Sequence, residues 1–191
     1  MQYKSVLLID GENLVFRYQE MLKEGKLPLK DTIHIENCFV WNSSFLDIFE
    51  FNDIIRVAYY TTVVGDEDKV TEVKEKISQS EYHFVTLAEQ NWVGTLVPYV
   101  YKKNKNGMKT KSVDINLTID ALRYAYGDSV DQIIIMSGDG DYIPVLREIM
   151  GRGKMVQAIA LSNGLNPEIK YNVDDLIIID DYIFSNEELD S

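Results

Sequence analysis

Short apolar runs alternate with longer stretches of helical periodicity along the chain, and this alternation predicts strands and helices in turn. Apolar runs of strand length occupy residues 5–9, 54–60, 83–87, 133–136, 155–161 and 176–179. Apolar residues recur with helical spacing in residues 13–24, 66–80, 113–126 and 142–150. The aromatic segment 33–51 has mixed periodicity, and we predict that it is mostly helical.

Strands that alternate with helices indicate an α/β fold with a largely parallel sheet and helices on both of its faces. The expected architecture is a three-layer α/β/α, Rossmann-like fold, and the 191 residues suit a single domain spanning 1–191. Residues 97–102 and 108–111 flank the run Lys-Asn-Lys-Asn-Gly, whose Asn106-Gly107 pair is a hairpin turn signal. A lysine-bearing hairpin is therefore predicted there.

The net charge of −12 and the pI near 4.6 at first argue against a nucleic-acid partner, because phosphate binding relies on Lys and Arg. The charge is segregated, however. Five lysines fall in or beside the predicted hairpin: Lys102, Lys103, Lys105, Lys109 and Lys111. No basic residue follows Lys170, and the acidic carboxyl-terminal tail, about 174–191, could regulate access or mediate self-association. Net charge is therefore a poor guide to the partner of this chain.

Cysteine usage and hydropathy bear on the compartment. Cys38 is the single cysteine, which excludes an intramolecular disulfide and a cysteine-based zinc cluster and suits a reducing interior. The first residues, MQYKSVLLIDGE, hold too short an apolar run for a signal peptide. No run approaches the ~18–20 apolar residues that cross a membrane. We therefore expect a soluble, cytoplasmic protein with no membrane partner.

Four aspartates fall where the predicted strands end and a predicted helix begins. Asp10 ends the first strand, and Asp139 and Asp141 follow the strand that ends at Met136, in the stretch MSGDGDYIPVL. Asp114 begins the helix after the lysine run. In open parallel sheets, ligands bind outside the carboxyl ends of the strands where the strand order reverses. If the strands that end at Asp10 and Met136 are neighbours at that point, three of these acids converge there, and Asp114 is a fourth candidate.

Clustered carboxylates raise one another's pKa and need a counter-charge to stay ionised. The usual counter-charge is a hard divalent cation such as Mg²⁺ or Mn²⁺, which prefers oxygen ligands. Such a cation lowers the pKa of a bound water and stabilises charge on a phosphate, so metal-dependent phosphodiester cleavage suits this cluster. The flanking glycines, Gly138 and Gly140, would leave room for the metal and the phosphate.

Each of these features also has a purely structural explanation. An Asp-Gly pair after a strand is usually a turn, and Asp114, Asp139 or Asp141 could each cap or begin a helix. A run of lysines is most often a solvated hairpin. An EF-hand loop is excluded, because position twelve counted from Asp139 is Met150 rather than glutamate. The expected convergence of acids from separate elements favours the functional interpretation.

Three ordered motifs carry a family resemblance: LLIDGENL (7–14), KSVDINLTIDAL (111–122) and SGDGDYIPVL (137–146). Together they resemble the NYN domains of the LabA/DUF88 type, within the PIN-like nuclease superfamily, over roughly residues 3–162. The resemblance implies a Rossmann-like α/β/α sheet and a Mg²⁺- or Mn²⁺-dependent ribonuclease site built from acids.

The resemblance also assigns roles by position. The metal-binding and catalytic acids would be Asp10, Asp114, Asp139 and Asp141. Asn13 would shape the site from the first helix, Ser137 would contact a metal-bound water or a phosphate, and Lys111 would contact a phosphate oxygen. Asp120 matches a further acid of the motif, but six helical residues after Asp114 it points about 120° away. We expect Asp120 to have a supporting or structural role.

The leading hypothesis is a metal-dependent endoribonuclease in which the lysine hairpin guides RNA, single-stranded or structured. Trp92, Tyr99 and Tyr101 would offer stacking surfaces for unpaired bases, or would simply pack the sheet. Two alternatives stay open: a non-catalytic RNA-binding or assembly module that keeps the fold, and a phosphatase that acts on small phosphates. The acidic and aromatic surfaces are also compatible with a homodimer.

Overall fold

The computed structural model describes residues 3–46, 52–85, 91–103 and 112–185, and within these residues a sheet of six strands forms the centre. In chain order the strands are β1 Tyr3–Asp10, β2 Ile33–Ile35, β3 Phe39–Trp41, β4 Asn52–Val64, β5 Glu81–Val85, β6 Asn91–Thr95, β7 Val97–Lys103, β8 Gln132–Met136, β9 Met155–Ala160 and β10 Asp175–Ile178. The α-helices are α1 Gly11–Lys23, α2 Glu67–Ser78, α3 Ser112–Tyr126 and α4 Ile143–Gly151.

The strand order in the central sheet is β10-β9-β8-β1-β4-β7, and every neighbouring pair in it is parallel. From β1 the chain moves outward through β4 to β7, then returns to the other side of β1 and moves outward again through β8, β9 and β10. The order therefore reverses between β1 and β8, which pair with Ile9 opposite Met136. Asp10 and Ser137 follow these two residues and so emerge at the same edge of the sheet.

Helices cover both faces of this sheet, in keeping with the alternation of side chains along a strand. Leu7 and Ile9 of β1 join the core formed with α1 and α2, whereas Val6 and Leu8 join the core formed with α3 and α4. All four side chains are fully buried. The predicted three-layer α/β/α fold is confirmed. No helix in the described ranges is both long and apolar enough to cross a membrane.

The helices and most strands lie close to the bounds predicted for them. The strand expected at 83–87 corresponds to β5, but it does not lie in the central sheet. This strand pairs antiparallel with β6 in a separate two-stranded ladder rather than in the central sheet. β7 matches the first arm of the predicted lysine hairpin, whereas the turn and the second arm, within 104–111, lie outside the described residues.

The helix predicted over 33–51 is wrong for the part that the structure describes, 33–46. β2 and β3 form an antiparallel hairpin, and a short 3-10 helix follows it. Asn37 allows the tight turn because asparagine tolerates the left-handed backbone region, here at a φ of 57°. Cys38 N donates to Ile35 O at 3.0 Å across this turn. Asn37 therefore lies at the turn of a hairpin in a segment whose mixed periodicity was interpreted as helical.

The carboxyl-terminal segment 174–185 is part of the fold, although the sequence suggests an acidic tail. It supplies β10 to the edge of the central sheet. Just beyond this strand, Asp180 Oδ1 accepts a hydrogen bond from Ser162 N at 2.8 Å. Phe184 is buried and stacks on Tyr18 of α1, with ring centroids 5.2 Å apart. Residues 186–191 lie outside the described part of the chain.

Candidate functional site

Asp10 stands at the carboxyl end of β1 and also caps the amino terminus of α1. Its Oδ1 accepts a hydrogen bond from Asn13 N at 3.0 Å, as capping aspartates do. Its Oδ2 accepts a hydrogen bond from Ser137 Oγ at 3.0 Å. Only 3% of the residue is exposed, so a carboxyl group is buried at the point where the strand order reverses.

Burial raises the pKa of Asp10 from its ordinary value of 3.8 to about 7. The hydrogen bonds from Asn13 and Ser137 oppose this shift, because both stabilise the charged form. The negative charges of Asp114 and Glu12 add to it. A desolvated carboxylate with acidic neighbours is stabilised by positive charge. The surroundings of Asp10 therefore favour binding of a cation.

Ser137 and Asn13 hold the loop after β8 against the start of α1. Ser137 Oγ donates a hydrogen bond to Asp10 and accepts one from Asp139 N at 3.2 Å. Asn13 Oδ1 accepts a hydrogen bond from Gly138 N at 3.1 Å. The two side chains thus position the carboxylates of both elements, and the hydroxyl proton of Ser137 is engaged with Asp10.

Asp139 and Asp141 occupy the loop between β8 and α4. Asp139 caps the short 3-10 helix Gly140–Tyr142, since its Oδ1 accepts a hydrogen bond from Asp141 N at 2.9 Å. Asp139 is half-buried and Asp141 is exposed. Asp139 therefore caps a helix, as the structural explanation for these acids expected. It also lies close enough to Asp114 to raise the pKa of that acid.

Protein atoms lie beside the glycines of this loop, in the direction that a Cβ would take. A Cβ on Gly140 would collide with the side chain of Asn166, and a Cβ on Gly138 would lie 3.3 Å from Leu165 Cα. Asn166 N also donates to Gly138 O at 2.9 Å. The loop after β9 thus packs directly against the acid loop, and a side chain at either glycine would have to displace a neighbouring residue.

Asp114 lies in the first turn of α3 and is half-buried. Burial raises the pKa of Asp114, and the charge of Asp139 raises it further, as do the charges of Glu12 and Asp141. A hydrogen bond from Tyr142 acts in the opposite direction. Acids from α1, α3 and the loop after β8 therefore share one electrostatic environment.

Tyr142 is a residue of this site that the sequence interpretation missed. Its buried hydroxyl donates to Asp114 Oδ1 at 3.4 Å, which is a long hydrogen bond. Burial raises the pKa of Tyr142, and the charges of Asp10, Asp114 and Asp139 add to the shift, so the phenol stays neutral among carboxylates. Its position directly after Asp141, within the motif 137–146, was the signal available in the sequence.

Glu12 is a second acid that the sequence interpretation did not include. It lies in the first turn of α1, and its Oε1 accepts hydrogen bonds from Thr62 Oγ1 at 2.5 Å and from Lys103 Nζ at 3.1 Å. Its charge contributes to the raised pKa of Asp10. Glu12 falls inside the first motif, but periodicity alone does not say which face of α1 meets the site.

The predicted nucleic-acid-binding lysines separate into three groups. Lys103 lies beside Glu12 and so belongs to the edge of the acid site. Lys102 pairs with Glu67 at the start of α2, 2.8 Å away, in an exposed ion pair. The others lie outside the described residues: Lys105, Lys109 and Lys111.

Asp120 has its own partners, apart from the other acids. It accepts hydrogen bonds from Tyr60 Oη at 2.8 Å and from Arg123 Nη1 at 2.7 Å. Tyr60 in turn stacks on Tyr99, with ring centroids 4.7 Å apart and planes inclined by 7°. Tyr99 therefore packs within the fold, whereas Trp92 of β6 is exposed.

The structure thus brings the predicted acids into one neighbourhood: Asp10, Asp114, Asp139 and Asp141, joined by Glu12. Among the residues that the structure describes, no three His, Cys, Asp or Glu side chains stand in a group that could hold a metal ion as arranged. The acids are coupled electrostatically without forming a closed ligand set. The neighbourhood nevertheless combines carboxylate oxygens, a neutral phenol and a lysine, which suits chemistry on a phosphate.

A parallel α/β/α sheet with carboxylates where the strand order reverses is the architecture expected of a PIN-like nuclease. The family model of the NYN domain matches residues 4–180. The chain therefore belongs to the NYN domain family, a family of PIN-like nucleases. This confirms the resemblance and extends it beyond residue 162, while the match does not distinguish the LabA/DUF88 type.

The fold is also similar to the crystal structure of a protein of unknown function from Vibrio parahaemolyticus. The two have a TM-score of 0.60 and 18% sequence identity, and 96% of each chain is covered. At this level of identity the likeness concerns the fold alone. No curated protein sequence matches this chain.

Proposed function

We propose that the protein is a metal-dependent endoribonuclease that hydrolyses phosphodiester bonds at the acids around Asp10. The main support is the carboxyl group of Asp10, which is buried beside further acids and has its pKa raised to about 7. Burying an acid among acids lowers the stability of a protein unless a cation binds there. Such an arrangement is typical of functional sites, and membership of a nuclease family agrees with it.

We assign Mg²⁺ or Mn²⁺ to this site, with four ligand residues: Asp10, Asp114, Asp139 and Asp141. The donor set fits these ions, because carboxylate oxygens are the hard ligands that they prefer. When bound, the cation would supply an acidified water and stabilise charge on the phosphate. Metal dependence is also general among NYN and PIN-like nucleases.

The other side chains of the site orient these acids through hydrogen bonds. Asn13 N and Ser137 Oγ each donate a hydrogen bond to one carboxylate oxygen of Asp10. Asn13 Oδ1 accepts a hydrogen bond from Gly138 N and so holds the loop after β8 in place. Tyr142 keeps its proton and donates a hydrogen bond to Asp114. Lys103, now paired with Glu12, would exchange that carboxylate for a phosphate oxygen of the substrate.

We propose RNA as the substrate, guided along the lysine segment 102–111. The first two lysines of this segment end β7, and Lys103 reaches the acid site. Binding through lysines to phosphates predicts an affinity that falls as the salt concentration rises. Neither the NYN family match nor the fold distinguishes RNA from DNA, so the choice of substrate is tested directly.

The test is incubation of purified protein with RNA, DNA and a small phosphate monoester in EDTA, Mg²⁺ and Mn²⁺. We expect cleavage of RNA in the metal-containing reactions, and its loss in Asp10→Asn and Asp139→Asn. Asp128→Asn, an exposed aspartate after α3, serves as the matched control and should keep full activity. Full activity in both site variants would refute the assignment. RNA binding without turnover would identify a binding module, and turnover of the monoester alone would identify a phosphatase.

A further inference from the structure

A groove of about 440 Å³ adjoins the acid site on the α1 side. Four residues of α1 line it, and they fall on one helical face at relative positions 0, 3, 4 and 7: Glu12, Val15, Phe16 and Gln19. The face that carries Glu12 at the acid site therefore continues along the groove. A volume of ~300–1,000 Å³ is typical of ligand pockets, so the groove is large enough for a bound group.

Two large apolar side chains at the groove remain exposed. Phe16 is 53% exposed and Val64 is 57% exposed, although the residues directly before them, Val15 and Val63, are buried in the core. Arg17 lies over the ring of Phe16, 5.2 Å from its centroid. Single exposed apolar residues are ordinary on proteins, but here two of them line one groove that opens beside an acid site.

The charges that line the groove balance each other. Lys69 and Lys103 are opposed by Glu12 and Glu36, so no net charge results from these four residues. Lys69 pairs with Glu72 at 2.9 Å in an exposed ion pair, which contributes little to stability. A neutral, aromatic group bordered by lysines matches this lining better than a free phosphate does.

We propose that this groove binds an unpaired nucleobase of the RNA strand next to the phosphate at the acid site, with Phe16 as the stacking platform. The inference rests on the proposed function for the identity of the strand. Exposed aromatic side chains beside lysines are what single-strand binding proteins use, because every base has a face that can stack. Lys103, at the junction of groove and acid site, contacts the phosphate that follows the bound base.

The test measures equilibrium binding of a single-stranded RNA that carries one 2-aminopurine, in EDTA, where the proposed metal-dependent cleavage does not operate. Phe16→Ala is expected to weaken binding about 10-fold, as loss of one stacked base does. Phe16→Tyr should bind as the wild type does. Tyr171→Ala is the matched control, because Tyr171 is 70% exposed and lies before β10, at the opposite edge of the sheet. The same RNA in a duplex should bind without dependence on Phe16.

Each outcome decides one of the two proposals. Three results would refute base binding in the groove, whether or not RNA is cleaved. They are equal affinities of Phe16→Ala and Tyr171→Ala for the RNA, equal losses of affinity in Phe16→Ala and Phe16→Tyr, and no RNA binding by the wild type. RNA binding that depends on Phe16, in a protein that cleaves no RNA with any divalent cation, would support base binding in the groove and refute the proposed nuclease activity.

Discussion

Asp10→Asn should make the metal-free protein more stable at alkaline pH while abolishing cleavage. The carboxyl group of Asp10 binds a proton more tightly in the folded state, because burial raises its pKa from 3.8 to about 7. Stability that depends on this group is therefore complete below pH 3.8 and is lost as the pH rises through about 7. Asparagine can still cap α1, and it has no charge to bury.

The difference between 3.8 and about 7 corresponds to about 4 kcal/mol of lost stability once the pH is well above 7, at ~1.36 kcal/mol per pH unit. Part of this loss has already occurred at about pH 5, since the carboxyl group of the unfolded chain ionises below that pH. The difference in unfolding free energy between Asp10→Asn and the wild type should therefore grow by about 2–3 kcal/mol between about pH 5 and pH 8.

Urea unfolding in EDTA, followed by tryptophan fluorescence at both pH values, measures this difference, and Asp128→Asn controls for the general effect of removing an aspartate. A difference that is the same at the two pH values would refute the reasoning. Addition of Mn²⁺ at about pH 8 should restore stability to the wild type and much less to Asp10→Asn, because a ligand stabilises the state that binds it.

Two further changes test the packing and the electrostatics of the site. A Cβ on Gly11 would lie 2.7 Å from Tyr60 O, so Gly11→Ala should lower the free energy of unfolding by about 1–3 kcal/mol. Gly151→Ala, whose Cβ would meet nothing within 4 Å, is the matched control. Equal losses of unfolding free energy in the two variants would show that the close packing around Gly11 does not matter for stability. Tyr142→Phe removes a hydrogen bond that lowers the pKa of Asp114, so the acidic limb of the pH–rate profile should move to higher pH. An unmoved limb would show that this hydrogen bond does not tune the site.

The proximity of Asp10 and Asp139 could be predicted from the sequence because each follows an apolar run, and parallel strands end at a common edge of the sheet. The prediction also assumed that these two strands are neighbours where the strand order reverses, and the pairing of β1 with β8 shows that they are. The short hairpin after α1 could not be predicted in the same way. Its turn depends on the backbone of Asn37, which local periodicity does not reveal.

Glu12 and Tyr142 belong to the site for reasons that only tertiary structure provides. Glu12 reaches Thr62 and Lys103 because of how α1 is rotated about its axis when it packs on the sheet. Tyr142 reaches Asp114 because α3 and α4 cover the same face of that sheet. Helix rotation is set by packing among distant residues, so sequence periodicity predicts the helix without predicting its neighbours.

The contact between the acid loop and the loop after β9 limits how the chain can be divided. A fragment ending near residue 162 would contain all three family motifs but would lack Asn166, which donates to Gly138 O and fills the space beside Gly140. It would also lack Asp180, which accepts from Ser162 N. A fragment that keeps the motifs would therefore lose the contacts that hold the loop around Asp139. The boundaries of the motifs are thus unsuitable ends for truncated or fused versions of this protein.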